Sequence, residues 1–434
     1  MKLEGARVVV VGMARSGVAA VELLMEHGAR VTAVDRNPGV RSELGVAIEP
    51  QADAAFAGAD LVVLSPGVPA DTEVVENARA RGVRVIGDLE LASWFLHGGI
   101  AGITGANGKT TTSAMAGHIL TASGIPAQVG GNIGTPPASL VKRSRPGQWN
   151  VLEVSSFQLE TTSSFRANIG AALNVTPDHL DRHYTLEKYA AAKGRLFVNQ
   201  RPGDFAVLNA DDAWTRGYAG LGRGTAVWFS STRKVEPGAW IESGRIVLEG
   251  ELLMEVGEVP LRGLHNLENT MAAAEIAHLA GAAHSQIRAA VASFPGVEHR
   301  LEFVRELDGV AWFNDSKATN VDATLKALTA FPGGLWVILG GKDKNANYQP
   351  LGAPLAERAR AALLIGAAAR KIQEQLRGAV ELIPCGTLEA AVSEARARAR
   401  RGDTVLLAPA CASFDQFENF EHRGREFKRL VNAL

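Results

Sequence analysis

The sequence predicts an α/β protein built from three domains in a row. Short apolar runs alternate with helical stretches along the chain, which is typical of βαβ units around a parallel sheet. Glycine-rich turns follow several of these runs. A length of 434 residues exceeds what one hydrophobic core usually supports and favours roughly two to four domains. We place the domains at residues 1–93, 94–296 and 297–434.

The first domain is predicted to have strands at residues 7–11, 30–34, 61–64 and 83–86. The turn from Gly12 to Gly17 follows the first strand and resembles a dinucleotide-binding turn, with Ala14 in place of the second glycine. Asp35 ends the next strand, at the spacing where an acidic residue contacts a ribose. This weak pattern is compatible with NAD, with another nucleotide or with a tight turn alone. The loop at residues 65–69 lies at the same carboxyl edge, so we predict a Rossmann-like ligand-binding domain.

The second domain contains the most informative run, Gly-Ile-Thr-Gly-Ala-Asn-Gly-Lys-Thr-Thr-Thr at residues 102–112. It joins an apolar segment, residues 98–103, to a predicted helix at residues 113–122. Backbone N–H groups of such a loop and the helix N-terminus bind phosphate oxygens. Lys109 would reach the terminal phosphates, and the Thr110 hydroxyl would hold Mg²⁺. Ile103 stands where the strict pattern has glycine, but an ordinary turn would not explain Gly-Lys-Thr. The run therefore predicts a nucleoside triphosphate site.

Further apolar runs complete the two larger domains. In the second domain they predict strands at residues 151–154, 169–175 and 205–209, a hairpin at residues 239–249 and a helix after Gly263. In the third domain they predict strands at residues 310–314, 335–339, 361–365, 380–383 and 405–408. This last alternation indicates a second Rossmann-like domain.

Polar residues follow the strands of the second domain. Glu153 interrupts an apolar strand, and a buried carboxylate needs a partner such as Mg²⁺; the alternative is an edge-strand glutamate facing solvent. His179 follows the next predicted strand, so acids and histidines at one sheet edge favour a metal site. Lys193, considered alone, is an ordinary helix-face lysine.

Composition excludes several other classes of protein. The 45 basic and 46 acidic residues leave a net charge of −1 without a long block of one sign. A nucleic-acid partner and an anionic membrane surface are therefore not expected, and the Arg-rich stretch at residues 396–401 is interpreted as a solvated helix face. Cys385 and Cys411 do not form a disulfide framework and fit a reducing compartment. Without an apolar run long enough for a membrane span, we expect a soluble, cytoplasmic protein.

Three further motifs carry a family resemblance. They are Gly-Asn-Ile-Gly at residues 131–134, Asn-Asp-Ser-Lys-Ala-Thr-Asn at residues 314–320, and Pro-Ala-Cys-Ala-Ser-Phe-Asp-Gln-Phe-Glu-Asn-Phe-Glu-His-Arg-Gly at residues 409–424. With the phosphate loop, Glu153, His179 and Lys193, they resemble the Mur ligases, ATP-dependent amide ligases that build the stem peptide of peptidoglycan, on which cell shape and division depend. The resemblance covers the full length. The last motif is similar to the D-glutamate-adding branch, and the Asp-Asn-Pro-Arg of the diaminopimelate-adding branch is absent.

The resemblance implies roles for particular residues. The ATP phosphates would be bound by Asn107, Gly108, Lys109, Thr110 and Thr111. Adenine, ribose and phosphate contacts would come from Asn266, Arg300 and Asp315. Two Mg²⁺ sites would involve Thr110, Glu153, His179 and Lys193. Lys193 matches the family lysine that CO₂ carbamylates, and Lys317 matches the lysine near the γ-phosphate and the reacting acyl group.

The resemblance also implies two further substrates, UDP-N-acetylmuramoyl-L-alanine and D-glutamate. The diphosphate would meet Arg15, Ser16 and Gly17, and the uracil would meet Asp35, Arg36 and Gly67. The sugar would meet Asn132 and His179. D-Glutamate would meet Thr319, Lys344, Ser413 and Phe420, although Lys342 is an alternative to Lys344. The implied enzyme is a monomer that forms an acyl phosphate, releases ADP and phosphate, and closes its domains around the reactants.

Three alternatives remain open from the sequence. The chain is an amide ligase of the same superfamily with another substrate, such as a folylpolyglutamate synthetase or a Mur ligase adding another residue. It is an NAD-dependent oxidoreductase, as the first loop and Asp35 suggest. Or it is a non-catalytic nucleotide switch, which would need neither Lys193 nor charges from a third domain.

Overall fold

The computed structural model describes residues 3–37, 44–132 and 134–434 and arranges them around three β-sheets, as predicted. Ile133 of the predicted Gly-Asn-Ile-Gly motif lies outside the described residues. The chain forms two compact units, Met1–Glu258 with Glu268–Phe294, and Val259–Leu267 with Pro295–Leu434. The first unit contains two of the sheets and the second contains the third. The boundaries at residues 93/94 and 296/297 stay predictions.

The first sheet is parallel, with the strand order β3-β2-β1-β4-β5. Its strands are β1 (Arg7–Val11), β2 (Arg30–Asp35), β3 (Ile48–Pro50), β4 (Leu61–Leu64) and β5 (Arg84–Gly87). The associated helices are α1 (Arg15–Glu26), α2 (Glu73–Ala80) and α3 (Asp88–Ser93). The four valines that end β1 are all buried, because helices and loops cover both faces of a central parallel strand.

The second sheet has nine strands in the order β14-β13-β12-β11-β10-β9-β6-β8-β7. They are β6 (Gly99–Thr104), β7 (Ala127–Gly131), β8 (Trp149–Glu153), β9 (Ile169–Ala172), β10 (Phe205–Asn209), β11 (Thr225–Ser230), β12 (Gly238–Glu242), β13 (Arg245–Leu248) and β14 (Glu251–Glu255). The strands from β7 to β12 pair in parallel. The predicted hairpin is present as the antiparallel pair β12 and β13.

Eight helices follow these strands or pack beside them. They are α4 (Lys109–Ala122), α5 (Pro137–Leu140), α6 (Ser156–Leu159), α7 (Leu180–His183), α8 (Leu186–Val198), α9 (Ala213–Arg216), α10 (Leu264–Leu279) and α11 (His284–Ala292). The helix predicted at residues 113–122 begins earlier, at Lys109, because Gly108 supplies a left-handed N-cap with φ +88°. The phosphate loop is therefore four residues, 105–108, between β6 and α4.

The third sheet has the order β15-β16-β20-β17-β18-β19, and only the pair β15 and β16 is antiparallel. Its strands are β15 (Glu302–Leu307), β16 (Val310–Asn314), β17 (Leu335–Gly340), β18 (Ala359–Ile365), β19 (Glu381–Gly386) and β20 (Thr404–Leu407). Its helices are α12 (Val321–Thr329), α13 (Gly352–Arg358), α14 (Ala369–Gln375), α15 (Leu388–Arg398) and α16 (Phe420–Asn432). All six residues of β17 are buried, as expected for a strand inside a sheet covered on both faces.

The sequence analysis missed β3, β7, β11, β14 and β15. All of these except β11 lie at a sheet edge, where strands are short or carry charged and small residues and lack a long apolar run. Among the described residues, no helix combines the length and the apolar character needed to cross a membrane.

Candidate active site

The phosphate loop is held from two sides. The backbone N–H of Asn107 donates to Asn174 Oδ1 at 2.9 Å, and Asn174 Nδ2 donates back to the Asn107 carbonyl at 3.1 Å. Lys109 Nζ folds over the loop and donates to the carbonyl oxygens of Gly105 and Ala106 at 2.8 and 3.0 Å. These contacts keep the ammonium beside the loop where phosphate oxygens would bind. Asn174, which the sequence analysis did not single out, therefore shapes the site.

Gly108 cannot carry a side chain in this arrangement. A Cβ at this position would lie 2.2 Å from Asn269 Oδ1, and the φ of +88° is unfavourable for other residues. Asn269 also accepts a hydrogen bond from Thr112 Oγ1 at 3.3 Å. The helix α10 thus approaches the loop through Asn269, a second residue that the sequence analysis missed. Its only signal was a second asparagine three residues after Asn266.

The predicted metal ligands Thr110 and Glu153 are in contact. Glu153 ends β8, between two other strands, and is only 3% exposed, so it is not an edge residue facing solvent. The Thr110 hydroxyl donates to Glu153 Oε2 at 2.7 Å, and Asn132 Nδ2 donates to Oε1 at 3.2 Å. Two oxygen donors at the start of a phosphate-loop helix fit the ligand preference of Mg²⁺.

Lys193 is buried, contrary to the ordinary helix-face interpretation. It lies in α8, is 1% exposed, and donates from Nζ to the Gly105 carbonyl at 2.8 Å. Lys109 donates to the same carbonyl oxygen. Burial and then the charge of Lys109 hold the pKa of Lys193 well below its usual range, while Asp178 and Glu153 oppose this shift. The amine is thus much more readily neutral than a surface lysine.

His179 lies at the start of α7 in a left-handed conformation, with φ +54°. Its Nε2 is 3.7 Å from Asp178 Oδ2, and its ring packs edge-on against Phe157 with centroids 4.8 Å apart. The side chain is 42% exposed. The imidazole is therefore accessible to a ligand, as the prediction requires.

The protein atoms alone do not make a complete metal cage. Within residues 3–37, 44–132 and 134–434, no three His, Cys, Asp or Glu side chains are arranged to hold a metal ion. Mg²⁺ usually keeps several waters and binds one or two protein oxygens together with substrate phosphates. The pair Thr110 and Glu153 fits a metal that is completed by the nucleotide.

The turn after β1 is tightly packed. A Cβ on Gly17 would lie 1.8 Å from the Gly12 carbonyl oxygen, which also accepts a hydrogen bond from Ser65 Oγ at 2.6 Å. Asp35 Oδ2 accepts a hydrogen bond from the Met13 N–H at 2.7 Å. Asp35 therefore stabilises the turn, a structural role that the sequence pattern did not distinguish from ligand binding.

The other predicted UDP contacts surround this turn. Arg15 and Ser16 are the first two residues of α1, and Ser16 hydrogen-bonds the buried Asp88, whose pKa burial raises to about 6. Gly67 is exposed in the loop after β4. Arg36 is exposed and lines an open depression of about 400 Å³ with residues of the 50–51 and 72–74 segments. The helix N-terminus suits a diphosphate, while the uracil contacts stay predictions.

Three predicted nucleotide contacts, Asn266, Arg300 and Asp315, belong to the second compact unit. Asp315 is buried and accepts a hydrogen bond from the Leu301 N–H at 3.3 Å. Burial raises the pKa of Asp315 to about 6, against the attraction of Arg300 and Lys317. Within the described part of the chain, Arg300 Nε is buried and has no hydrogen-bond partner. Asn266 belongs to the same unit and donates from Nδ2 to the Arg262 carbonyl at 2.7 Å.

The loop after β16 lies against the start of α16. Lys317 Nζ lies 5.4 Å from the centre of the Phe420 ring, and Ser316 Oγ donates to the Phe420 carbonyl at 2.8 Å. The buried Arg423 donates to the carbonyl oxygens of Ser316 and Cys411. Hydrogen bonds from this guanidinium link the loop that contains Lys317 to the loop that contains Ser413. The sequence patterns did not indicate a role for Arg423.

The predicted D-glutamate contacts come from four segments of the second unit. Thr319 follows β16, Lys344 follows β17, Ser413 follows β20, and Phe420 begins α16. The three strands are neighbours in the order β16-β20-β17, so their carboxyl-end loops meet at one sheet edge, where ligands bind in open α/β sheets. Lys342 and Lys344 are both exposed, and the alternative between them stays open.

Parallel sheets, together with a glycine loop that leads into Lys109 and Thr110 of α4 and with Glu153 in contact with Thr110, are the features of a nucleotide-binding α/β protein. Residues 6–87 match the Mur ligase MurD-like N-terminal domain, residues 103–277 the Mur ligase middle domain, and residues 299–411 the Mur ligase glutamate ligase domain. The chain belongs to the Mur ligase family, whose members are ATP-dependent ligases. This membership favours the ligase interpretation over the oxidoreductase and switch alternatives.

Relatives and solved structures agree with this assignment. The chain is 60% identical to the UDP-N-acetylmuramoylalanine–D-glutamate ligase of Solibacter usitatus, over 100% of this chain and 99% of the relative. It is 49% identical to the ligase of the same name from Acidobacterium capsulatum, over 100% and 97%. Its fold is similar to the UDP-N-acetylmuramate-alanine ligase of Thermotoga maritima, with TM-score 0.64 and 18% identity over 98% of this chain and 99% of the other. It is also similar to a pseudomurein peptide ligase type C of Methanothermus fervidus, with TM-score 0.62 and 18% identity over 99% and 100%.

Proposed function

We propose that this member of the Mur ligase family joins D-glutamate to UDP-N-acetylmuramoyl-L-alanine at the expense of ATP, in the synthesis of peptidoglycan. The observation that carries the proposal is full-length similarity to ligases of that name. The contacts of Lys109 with the phosphate loop and of Thr110 with Glu153 support it. The products are the amide, ADP and phosphate.

The first step is a phosphoryl transfer. The alanine carboxylate of the UDP-linked substrate attacks the γ-phosphorus of ATP in line, ADP leaves, and an acyl phosphate forms. Lys109 Nζ exchanges its loop carbonyls for phosphate oxygens and stabilises the charge that spreads over them. Bound beside Thr110 and Glu153, Mg²⁺ would neutralise phosphate charge and so favour attack by a carboxylate.

The second step forms the amide. The neutral amine of D-glutamate attacks the acyl carbon, the tetrahedral adduct expels phosphate, and the amine loses a proton. Lys317 and Arg300 are cations of the second unit that suit the phosphate and acyl oxygens in both steps. A histidine bound to a metal is not available as a base, so His179 is assigned to binding and not to this proton transfer.

We include carbamylation of Lys193 in the proposal. The neutral amine attacks CO₂, a C–N bond forms and one proton is released, leaving a carbamate. Lys193 is buried, and its pKa is lowered by burial and by Lys109, which favours the reactive neutral form. The carbamate of Lys193 is an anion beside the Lys109 ammonium. Carbamylation therefore replaces the repulsion between two ammonium groups by attraction between the carbamate and Lys109. With His179, the carbamate would hold the second of two Mg²⁺ ions.

The proposal includes a cytoplasmic enzyme, since ATP and a UDP-linked sugar are both substrates, and a monomer, as the family resemblance implies. The two groups of candidate residues, around Lys109 and around Lys317, belong to different compact units.

Coupled ADP release tests the reaction. With UDP-N-acetylmuramoyl-L-alanine and ATP, we expect turnover with D-glutamate and not with L-glutamate, L-lysine or meso-diaminopimelate. Lys109→Ala should lower the rate about 100-fold or more, because it removes a preorganised cation from the transferring phosphoryl group. Lys142→Ala is the matched control, since Lys142 is half-exposed and pairs only with Glu22 and Glu26 among the described residues. Turnover with another amino acid instead of D-glutamate would show that the ligase has a different amino-acid substrate. Nucleotide binding without ADP release for any amino acid would contradict the proposal.

A further inference from the structure

The loop after β17 is shaped by the carboxylate of Asp343. Asp343 Oδ1 accepts hydrogen bonds from the Ala346 N–H at 3.1 Å and from the Tyr348 hydroxyl at 2.8 Å. Asp343 Oδ2 lies 2.8 Å from Lys371 Nζ on α14. Lys344 is the next residue, so it stands inside a turn that the Asp343 side chain closes. This closure defines where the Lys344 backbone lies.

The hydroxyl of Tyr348 connects this turn to a second loop. Tyr348 is fully buried, and its oxygen lies 3.0 Å from Cys411 Sγ. Asp343 can only accept, so the phenol donates its hydrogen there and accepts the thiol hydrogen of Cys411. Burial keeps that thiol protonated by raising the pKa of Cys411 to about 11. The result is a chain of donors from the thiol through the phenol to the carboxylate.

The second loop carries another predicted D-glutamate contact. Ser413 follows Cys411 by two residues, and the Lys342 N–H donates to the Ala412 carbonyl at 2.8 Å. The loops after β17 and β20 are thus joined by one backbone bond and by the Tyr348 hydroxyl. A shift of either loop would change the distance between Lys344 and Ser413.

We propose that Asp343, Tyr348 and Lys371 are positioning residues that set the geometry of Lys344 and Ser413 for the amino-acid substrate. The inference rests on the proposed function, because it concerns the site for D-glutamate. None of the three has to touch the substrate.

Lys371 has an electrostatic part in this arrangement. D-Glutamate carries two carboxylates, and an unneutralised Asp343 one residue from Lys344 would repel them. Burial opposes ionisation of Asp343, but hydrogen bonds from Lys371, Tyr348 and the Ala346 N–H outweigh it and lower the pKa of Asp343. The carboxylate is therefore ionised at neutral pH, and Lys371 balances its charge.

Steady-state kinetics of the full-length enzyme test the proposal with Tyr348→Phe and Lys371→Met. Each should raise the KM for D-glutamate about 10-fold, the effect of one displaced or unbalanced polar contact. Because the other substrates bind elsewhere, kcat and the KM values for ATP and UDP-N-acetylmuramoyl-L-alanine should stay within about two-fold. Adding Asp343→Asn to Lys371→Met should recover most of the affinity, since it removes the unbalanced charge. If the double change restores stability to denaturant but leaves the KM for D-glutamate raised, the pair has a purely structural role and the positioning role is overturned.

Two controls match the changes in chemistry. Tyr218→Phe removes a buried hydroxyl that donates to the Ala190 carbonyl at 2.8 Å in the other unit. Lys326→Met breaks a half-buried pair with Asp322 at 3.1 Å in the same unit. Neither should change the KM for D-glutamate.

The possible failures are distinguishable. A wild type without D-glutamate-dependent ADP release contradicts the proposed function and, with it, the assignment of these loops to D-glutamate. An active wild type with an unchanged D-glutamate KM in the variants overturns only the positioning role. A parallel rise in all three KM values also overturns it. If Tyr348→Phe does not fold, Lys371→Met and its rescue decide.

Discussion

Glu153 is an acidic residue that is almost completely buried. Its two carboxylate oxygens are used by Thr110 and Asn132, and it belongs to a central strand of the sheet. A buried carboxylate is costly unless donors or a cation compensate it. Two neutral donors provide partial compensation, and a cation would complete it. The residue thus has a physical reason to recruit Mg²⁺ when ATP binds.

The buried charge of Glu153 predicts a change of Mg²⁺ dependence in Glu153→Gln. The amide keeps one oxygen for Thr110 but loses the charge, so we expect the Mg²⁺ concentration for half-maximal activity to rise about 10- to 100-fold. ADP release measured against Mg²⁺ concentration checks it. Glu251→Gln serves as the control, because the Glu251 side chain is 77% exposed and pairs with His284. An unchanged Mg²⁺ dependence in Glu153→Gln would place the metal elsewhere.

Individual residues of the phosphate-loop motif could be predicted from the sequence, whereas the residues that contact the loop from other elements could not. Gly108, Lys109 and Thr110 are consecutive, so a local pattern identifies them. Asn174 and Asn269 reach the same loop from other elements, with sequence separations of 67 and 157 residues in their bonds to Asn107 and Thr112. Isolated asparagines carry no local signal, so only the tertiary structure assigns them to the site.

Helix α3 carries Glu90, whose carboxylate accepts hydrogen bonds from several backbone and side-chain donors. Glu90 is fully buried and accepts hydrogen bonds from the N–H groups of Ser163, Ser164 and Phe165 and from both serine hydroxyls. Burial opposes ionisation, but these donors outweigh it and lower the pKa of Glu90 to about 2. This contact holds the end of the first predicted domain to the loop before β9.

Glu90→Gln should therefore destabilise the first unit. The glutamine side-chain NH₂ would point its hydrogens at the backbone N–H groups that now donate to Glu90. A shift of the pKa of Glu90 from 4.5 to about 2 corresponds to about 3 kcal/mol of unfolding free energy. Because the folded pKa is depressed, this stability is present above pH 4.5 and is lost as the pH falls towards 2. Denaturant unfolding against pH should show a smaller acid-induced loss in Glu90→Gln than in wild type. Glu76→Gln, on the exposed Arg79 pair, should behave like wild type, and an equal acid response in all three proteins would contradict the prediction.

Except for β11, strands that lie inside a sheet were predicted well. The strands at residues 7–11, 61–64, 205–209 and 310–314 have the predicted bounds, because a strand covered on both faces is a continuous apolar run. The edge strand β15 illustrates the opposite case. It contains three charged and three apolar residues without strict alternation and pairs on one side only, so its sequence resembles a loop as much as a strand.

For the whole molecule, the division of candidate residues between two compact units predicts a ligand-dependent change of shape. An acyl phosphate reacts with water, so a productive complex must exclude solvent. Small-angle X-ray scattering should show a smaller radius of gyration with a non-hydrolysable ATP analogue and UDP-N-acetylmuramoyl-L-alanine together than with neither. The protein with UDP-N-acetylmuramoyl-L-alanine alone is the control. An identical radius with and without both ligands would contradict closure.

The sequence by itself determined the α/β class, the presence of three domains, the phosphate-loop motif and the family, because each depends on local patterns or on motifs of consecutive residues. Only the tertiary structure decided that Lys193 is buried against Gly105 and that Glu153 accepts a hydrogen bond from Thr110. It also decided that Tyr348 and Lys371 both hydrogen-bond to Asp343, beside Lys344. These facts depend on burial and on contacts between residues far apart in the chain. A lysine on a helix has the same local sequence whether it faces water or a second ammonium, and packing alone distinguishes the two.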